Sequence, residues 1–566
     1  MGTRINSGRK KSHEWNEFSE IDGKDTAVNC NHCGEEVSAR IKRLQVHLSK
    51  CRALNKKENN NDNSEELPGN DIIHDDTASR SQHSKIRKLD SFVSSTSVTM
   101  KRKLDLQIAR FFFSCNISFR SAENDEFKKM IELLRPGYHP PERRELGGEL
   151  LDTIYNEVEE EIEKDLENVQ HVTISQDGWE SVSHDPILAH SFHTGEKSFL
   201  HNIVDCGSNK KDSEFCLEQL EIAIEYLEEN LGKKCFGVVT DNEAKMKKMK
   251  RLLEIKDPKC LTYGCNAHYL NLLEGEVCDK NVLDKIVIVN KHFRNVHKSH
   301  GLLKEKGGKM PQIPNETRWK SKEVTLETYV DNHAVYMEIS EEVANDGSLP
   351  SDVTKIVDNV SFKRKASQCL QQMKNFSVAL DKLQSDSCYL SDAVKVWYSL
   401  LRNPDLSQHK KAVKKRFNEA VEPFFFLAYM TDHRNIEDNE NKVDPEDELA
   451  AEEWLENYDT ELFSMYIKFQ IKEEEKYPKY LFSESMRSTL LPRKWWMFVK
   501  MKAEKREDQE QVKFATFMVN LHSCPSSSAS LERWFSTFGF VWSKTRNRLG
   551  HDKAMKLVKI YRKLRE

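Results

Sequence analysis

Long apolar runs are missing from this chain. Nowhere in its 566 residues does a hydrophobic stretch approach the roughly 20 residues needed to cross a bilayer. The polar N-terminus, Met1 to Lys11, has no apolar core of the kind that directs secretion. Neither membrane spanning nor export is expected. Hydrophobic residues reach only 38%, against roughly 45–50% for ordinary globular domains counted over a slightly different set, so part of the length is expected to lie outside any core. A disulfide framework is lacking too. The 13 cysteines are odd in number and irregularly spaced, which fits reduced thiols and metal ligands in a reducing compartment. No internal repeat is present. Charge is abundant, with 87 Lys+Arg against 92 Asp+Glu for a net −5, and its local distribution says more about partners than the total does. The length suggests two to four domains.

The stretch from Lys56 to Met100 is dense in Asn, Asp and Ser and offers little to bury, so it reads as a disordered linker. Beyond it, Leu151, Ile154, Val158, Ile162 and Leu166 recur at helical spacing. The short runs His171–Gln176, Ile187–His193 and Ser198–Val204 read as strands, the last two joined through Thr194-Gly195. A second amphipathic helix carries Leu217, Leu220, Ile224, Leu227 and Leu231, followed by a strand from Cys235 to Thr240 and another near Lys259 to Tyr263. From Glu323 to about Lys513 helical periodicity dominates, and Glu437 to Glu461 holds 12 acids and one lysine. The tail from Arg533 has 10 Lys+Arg and 2 acids on a helix whose apolar side includes Ala554, Leu557, Val558, Tyr561 and Leu564. That face is expected to meet a partner, either a second subunit or its own core.

Two constellations carry chemistry. Cys30-x2-Cys33 followed by His47-x3-Cys51 offers four soft or borderline ligands, the second pair spaced so that one helical turn presents both to one ion. Arg40, Lys42 and Arg43 between the pairs bring the charge that a DNA backbone attracts. With Trp15 and Phe18 upstream, this pattern resembles a BED-type zinc finger, a DNA-binding family, over about residues 11–55. The zinc would be structural, since a unit this small does not fold without its ion. In the second constellation, Asp177 follows the strand HVTISQ and Asp241 follows CFGVVT. Were these strands neighbours, their carboxylates would form the hard oxygen site that Mg²⁺ prefers. Solvated or capping aspartates are the ordinary alternative for each alone.

The remaining motifs decide between these. Cys265-Asn266-Ala267-His268, Thr317-Arg318-Trp319 and Ser530-Leu531-Glu532-Arg533-Trp534-Phe535-Ser536 follow the two aspartates in an order that resembles the hAT transposase family from about His139 onward. The resemblance implies an α/β RNase H-like core interrupted by an all-α insertion, behind the small zinc finger and the disordered linker. It divides the chain into a finger (11–55), linker (56–103), helical lead-in and first part of the core (104–322), helical insertion (323–513) and a C-terminal dimerisation region that completes the core (514–566). It implies Asp177, Asp241 and Glu532 as catalytic acids holding Mg²⁺ or Mn²⁺, and Arg318 and Trp319 as DNA contacts at an unstacked base. For Cys265 and His268 it implies a structural motif, with a buried thiol and a hydrogen-bonded histidine as the plain reading. The expected activity is cleavage and transfer of double-stranded DNA in the nucleus by a homodimer or higher homo-oligomer. The competing reading is a domesticated, non-catalytic DNA-binding dimer that regulates transcription.

Overall fold

The computed structural model describes residues 17–21, 24–38, 44, 46–48, 51, 96–180, 185–315, 320–344, 347–436, 442–543 and 549–565. Most of the expected linker lies outside this set, as do Trp15, Arg40, Lys42, Arg43, Arg318 and Trp319. The chain divides into two compact units, residues 1–91 and 92–566.

In the first unit, β1 (Phe18–Ile21), β2 (Lys24–Cys30) and β3 (Glu36–Ser38) form an antiparallel sheet in the order β1-β2-β3. Its buried residues are Phe18, Val28 and Leu44 together with the thiols Cys30 and Cys51. So small an apolar set does not outweigh the entropy of ordering the chain, and two of the prospective ligands are themselves part of the core.

The second unit is built on a five-stranded sheet in the order β6-β5-β4-β7-β8. Its strands are β4 (His171–Glu180), β5 (Pro186–His193), β6 (Ser198–Asp205), β7 (Lys234–Thr240) and β8 (Leu261–Gly264). The β6-β5-β4 side is antiparallel, and β4-β7-β8 is parallel. Parallel neighbours need crossovers. The helix α1 (Glu149–Leu166) leads into the sheet, α2 (Ser213–Glu225) connects β6 to β7, and α3 (Ala244–Lys256) connects β7 to β8. After β8 comes α4 (Asn266–Val277), and the described residues from there on form helices and turns without a further strand. The chain closes with α5 (Ala529–Val541) and α6 (His551–Lys563).

Strand alternation sorts β4 onto two faces. Ile174 packs with Leu217, Leu220 and Met246 of α2 and α3, and the Gln176 amide donates to the Cys216 carbonyl at 2.8 Å. On the other face Trp179 stacks on Phe535 of α5, with ring centroids 5.6 Å apart. Asp177 shares that face, between the sheet and the C-terminal helix.

Three expectations need correction. Val98–Lys103, placed in the linker, belongs to the helix Val98–Ser114; its N-cap is Ser97, whose hydroxyl accepts from the Met100 amide at 3.3 Å. Asp177 does not end its strand. Pairing with β5 continues from Asp177↔Ala189 to Glu180↔Pro186, whereas pairing with β7 stops at Gln176↔Thr240. Third, the apolar strip of the tail is covered within the chain. Ala554, Leu557, Val558 and Ile560 are buried in one cluster with Leu151, Ile154 and Val158 of α1 and with Phe112 and Phe113, while Tyr561 and Leu564 pack at its edge. The basic side of α6 is matched by the acidic side of α1: Lys559 pairs with Glu159 at 2.8 Å, Lys563 with Glu161 at 3.5 Å, and Lys556 with Asp152. The strip therefore requires no second subunit.

Candidate functional site

The first cluster lies in the N-terminal unit. Cys30 ends β2, and the chain turns at once: the Cys30 amide donates to the Glu35 carbonyl at 2.9 Å and the Gly34 amide to the Cys30 carbonyl at 2.8 Å. Gly34 sits at φ +76°, a backbone region that a side chain disfavours, so the tight turn that returns Cys33 beside Cys30 suits glycine. Residues 44 and 46–48 are helical and bring His47 over the turn. Cys33 Sγ lies 3.2 Å from His47 Nε2, and the donor atoms of Cys30, Cys33, His47 and Cys51 all fall within 4.8 Å of one another. Among the described residues no other group of three or more His, Cys, Asp or Glu is so close-set. Three sulfurs and one imidazole nitrogen are the donor set of a closed tetrahedral zinc site. Phe18 meets the His47 ring edge-on at 5.9 Å, and the Glu35 carboxylate stands 3.8 Å from His47 Nδ1. A carboxylate on the far nitrogen of a metal-ligating histidine orients the ring; the spacing of the ligands gave no sign of Glu35.

The second cluster forms where β7 ends. Gln176↔Thr240 is the last parallel pair between the two strands, so Asp177 and Asp241 are the next residues along each, and the charge of Asp241 acts on Asp177. Gly178 N–H donates to Asp177 Oδ1 at 2.7 Å and Glu243 N–H to Asp241 Oδ1 at 2.9 Å, which fixes both carboxylates. Gly264 permits a close approach beside them: a Cβ there would lie 2.1 Å from Asn242 Oδ1, and Asn242 donates to the Cys265 carbonyl at 3.2 Å, tying the loop after β7 to the end of β8. Glu532 lies in the first turn of α5. The stack of Trp179 on Phe535, and a contact so close that a Cβ on Gly539 would sit 3.2 Å from the indole, hold α5 against β4 near Asp177.

The negative charge of the acidic site is offset only in part, by Lys211 acting on Asp177 and by Lys245 and His268 acting on Asp241. Burial, then the charges of Asp241 and Glu532, push the Asp177 carboxyl well above its ordinary range. Burial raises Asp241, with the Glu243 amide, His268 and Lys245 pulling the other way. Glu532 is open to solvent on one side, and the protein crowded around the other raises it. None of the three is ion-paired with another described residue. The three carboxylates do not form a group as close-set as the zinc-type donors.

Cys265 and His268 diverge. Cys265 is buried and its thiol is pushed up to about 11 by that burial, against the opposing pull of Ser528. His268 is half-buried; burial lowers it, while Asp241 and Glu243 favour its charged form. Among the described residues they share no metal group with a third ligand, and the charges of Asp177 and Asp241 act on Cys265 and His268 in turn. Sequence reasoning also missed Lys211. Its ammonium occupies the space over Gly178, 1.6 Å from where a Cβ would stand, and donates to the Ile187 carbonyl at 3.1 Å.

Among the described residues no helix is long and apolar enough to cross a membrane. No curated protein matches the chain. Residues 141–293 match a family described as a domain of unknown function, DUF659, which is associated with hAT-like transposases. The matched stretch carries α1, all five strands of the sheet, Asp177, Asp241, Cys265 and His268, and ends well before Glu532. With the Cys3His cluster, whose arrangement is compatible with a BED-type finger, this match points to hAT-type transposase-like proteins in general.

Proposed function

We propose that this chain is a DNA-binding transposase of the hAT type that binds element ends and carries out metal-dependent cleavage and transfer of DNA strands. The observation that supports this reading is the parallel register of β4 on β7, after whose last pair Asp177 and Asp241 follow directly, together with the charges of Asp241 and Glu532 both acting on Asp177. The strand order and directions, with three antiparallel strands followed by two parallel ones, support an RNase H-like core. The helical stretch between α4 and α5 supports an insertion within that core.

The acids fit a hard divalent cation: oxygen donors, mutual repulsion, and no ion pair to offset it. Mg²⁺ or Mn²⁺, when bound, supplies Lewis-acid stabilisation of the attacking and leaving oxygens in an in-line displacement at phosphorus. In this reading Asp177 and Asp241 bind the cations, and Glu532 closes the site from α5. The Gly178 and Glu243 amides keep the first two carboxylates from turning away. Arg40, Lys42 and Arg43 are proposed contacts of the finger with DNA phosphates, and Arg318 and Trp319 contacts at an unstacked base. The reading includes nuclear action and a homo-oligomer formed through a surface other than the covered strip of α6.

The test is strand cleavage on the element's own ends in Mg²⁺ or Mn²⁺. Asp177→Asn, Asp241→Asn and Glu532→Gln should each lose cleavage by about a thousandfold while the chain still binds DNA. If the unmutated protein fails in both metals, or Asp241→Asn cuts equally well, the non-catalytic regulator replaces the enzyme.

A further inference from the structure

The residue after Glu532 reaches away from the acids. Arg533 donates to the Gln384 carbonyl at 2.8 Å and forms an ion pair with Asp386. Both partners lie in the turn 383–389, between the helices Val360–Leu383 and Leu390–Arg402 of the helical stretch. The same turn grips the segment ahead of α5. Ser526 N–H donates to the Cys388 carbonyl at 2.9 Å, the Ser527 hydroxyl donates to the Leu383 carbonyl at 2.7 Å, and Tyr389 forms an isolated β-bridge with Pro525. β8 and the start of α4 hold the opposite side of that segment: Tyr263 donates to the Pro525 carbonyl at 2.8 Å, and the Asn266 backbone and side-chain amides both donate to the Ser526 carbonyl at 3.1 Å. Residues 524–533 are thus a strap between the end of β8 with the start of α4 and the helices of the insertion.

We infer that the turn 383–389 is the positioning element for Glu532, with the Arg533–Asp386 pair as its adjustable contact. Consecutive residues of a helix project about 100° apart, so a pull on Arg533 rotates α5 and swings Glu532 relative to Asp177 and Asp241. The stack of Phe535 on Trp179 is the pivot on the sheet side. The serine contacts are deep, with Ser526 fully buried and Ser527 at 7% exposure, whereas the ion pair is open, with side chains 38% and 44% exposed. An exposed pair contributes little to global stability, so its variants still fold. Its leverage on the third carboxylate is positional. Seating of the insertion against the strap therefore completes the acid set, an inference that rests on reading the three acids as a cation site.

The experiment uses the full chain, with Mn²⁺ as the probe. Calorimetric titration gives Mn²⁺ affinity, and amide hydrogen exchange gives the local stability of α5. Asp386→Ala should weaken Mn²⁺ binding by about tenfold, the scale of losing an outer partner of a metal ligand. It should also speed exchange in α5 while leaving β4 and β7 unchanged. Raising Mn²⁺ should restore its cleavage, separating a positioning defect from a lost catalytic group. The swap of Asp386→Arg with Arg533→Asp should recover most of the affinity. Unchanged affinity and unchanged exchange in Asp386→Ala would overturn the inference. If the unmutated chain binds no Mn²⁺, or Asp241→Asn binds it equally well, the cation reading of the acids falls. Faster exchange in α5 of Asp386→Ala would then still support the strap as a mechanical link.

Discussion

The thiol–imidazole cluster takes its four donors from a short stretch, Cys30 to Cys51, in a unit with five buried core residues, two of them ligands. The carboxylate cluster takes its three from a strand, the residue that follows another strand and a helix, spread over the second unit, on a sheet packed from both faces. The difference lies in what holds the donors. In the N-terminal unit a zinc ion held by the Cys3His cluster would substitute for a core, so that binding and folding would be one event. In the second unit the sheet and α5 hold the acids against their own repulsion, so a cation bound there, as proposed, would relieve strain that the fold already bears.

Removing zinc is the strongest way to test that contrast. Chelation of the full chain, or Cys33→Ser, should unfold the β1–β3 unit outright, since apparent zinc affinities of such sites reach about 10–16 kcal/mol. The same treatment should leave the five-stranded sheet protected. Hydrogen exchange over both units, with zinc stoichiometry measured alongside, reads this directly. A β1–β3 sheet that stays protected without metal would mean that the small core suffices.

Next in size is a break in the scaffold of the acids. Val558 is fully buried against α1 and its neighbours, so Val558→Glu buries a carboxyl in an apolar cluster and should cost about 3–4 kcal/mol. Leu564→Glu, at the partly exposed edge, should cost much less. Chemical denaturation separates the two. Loss of an oligomer by Val558→Glu without loss of stability would return the strip to an intersubunit role.

How much of this was legible in the sequence follows the same divide. The zinc-type ligands were readable because short spacings survive folding as short distances. The strands were readable from their β-branched runs, and Asp241 from standing where one of them stops. Glu532 came only through resemblance, because nothing local in a helical first turn distinguishes a site acid from a capping one. The cover of the tail was not legible: periodicity shows that α6 has an apolar strip but not that α1, hundreds of residues earlier, supplies both the apolar partner and the matching acids. Trp179 belongs to the same class, since its stack on Phe535 depends on tertiary contact. So does Lys211, which fills space that only the absent side chain of Gly178 leaves open.

Histidines and acids load the second unit in opposite directions with pH. His190, between Gln176 and Asn202, and His522, beside Thr431, are both lowered by burial from 6.5 to about 4. The unfolded chain takes up these protons first, so stability should fall as pH drops from about 6.5 to 4, by up to about 3 kcal/mol for each group. Asp177 and Asp241 are raised. The unfolded chain loses those protons first, and metal-free stability should fall as pH rises above about 4 through their elevated values. Melting profiles against pH, with and without Mn²⁺, should show the cation lifting only the upper arm. A uniform lift at all pH values would mean that it binds elsewhere.

The smallest expected effect is the most specific to the acids. Asp177→Asn keeps an oxygen to accept from Gly178 N–H and the volume of the side chain, but removes the charge that burial, Asp241 and Glu532 all oppose. Near pH 7 and without metal the variant should be more stable than the unmutated protein. In saturating Mn²⁺ the order should reverse, because ligand-linked stabilisation reaches about 2.7 kcal/mol at a hundredfold excess over Kd and the variant would forgo most of it. Asp241→Asn should behave likewise with a smaller gain, its carboxyl being less enclosed. A sheet held together by its acids would show the opposite sign: a metal-free Asp177→Asn that melts below the unmutated protein would mean that the carboxylate has a structural partner, and that the cluster was not built around a missing positive charge.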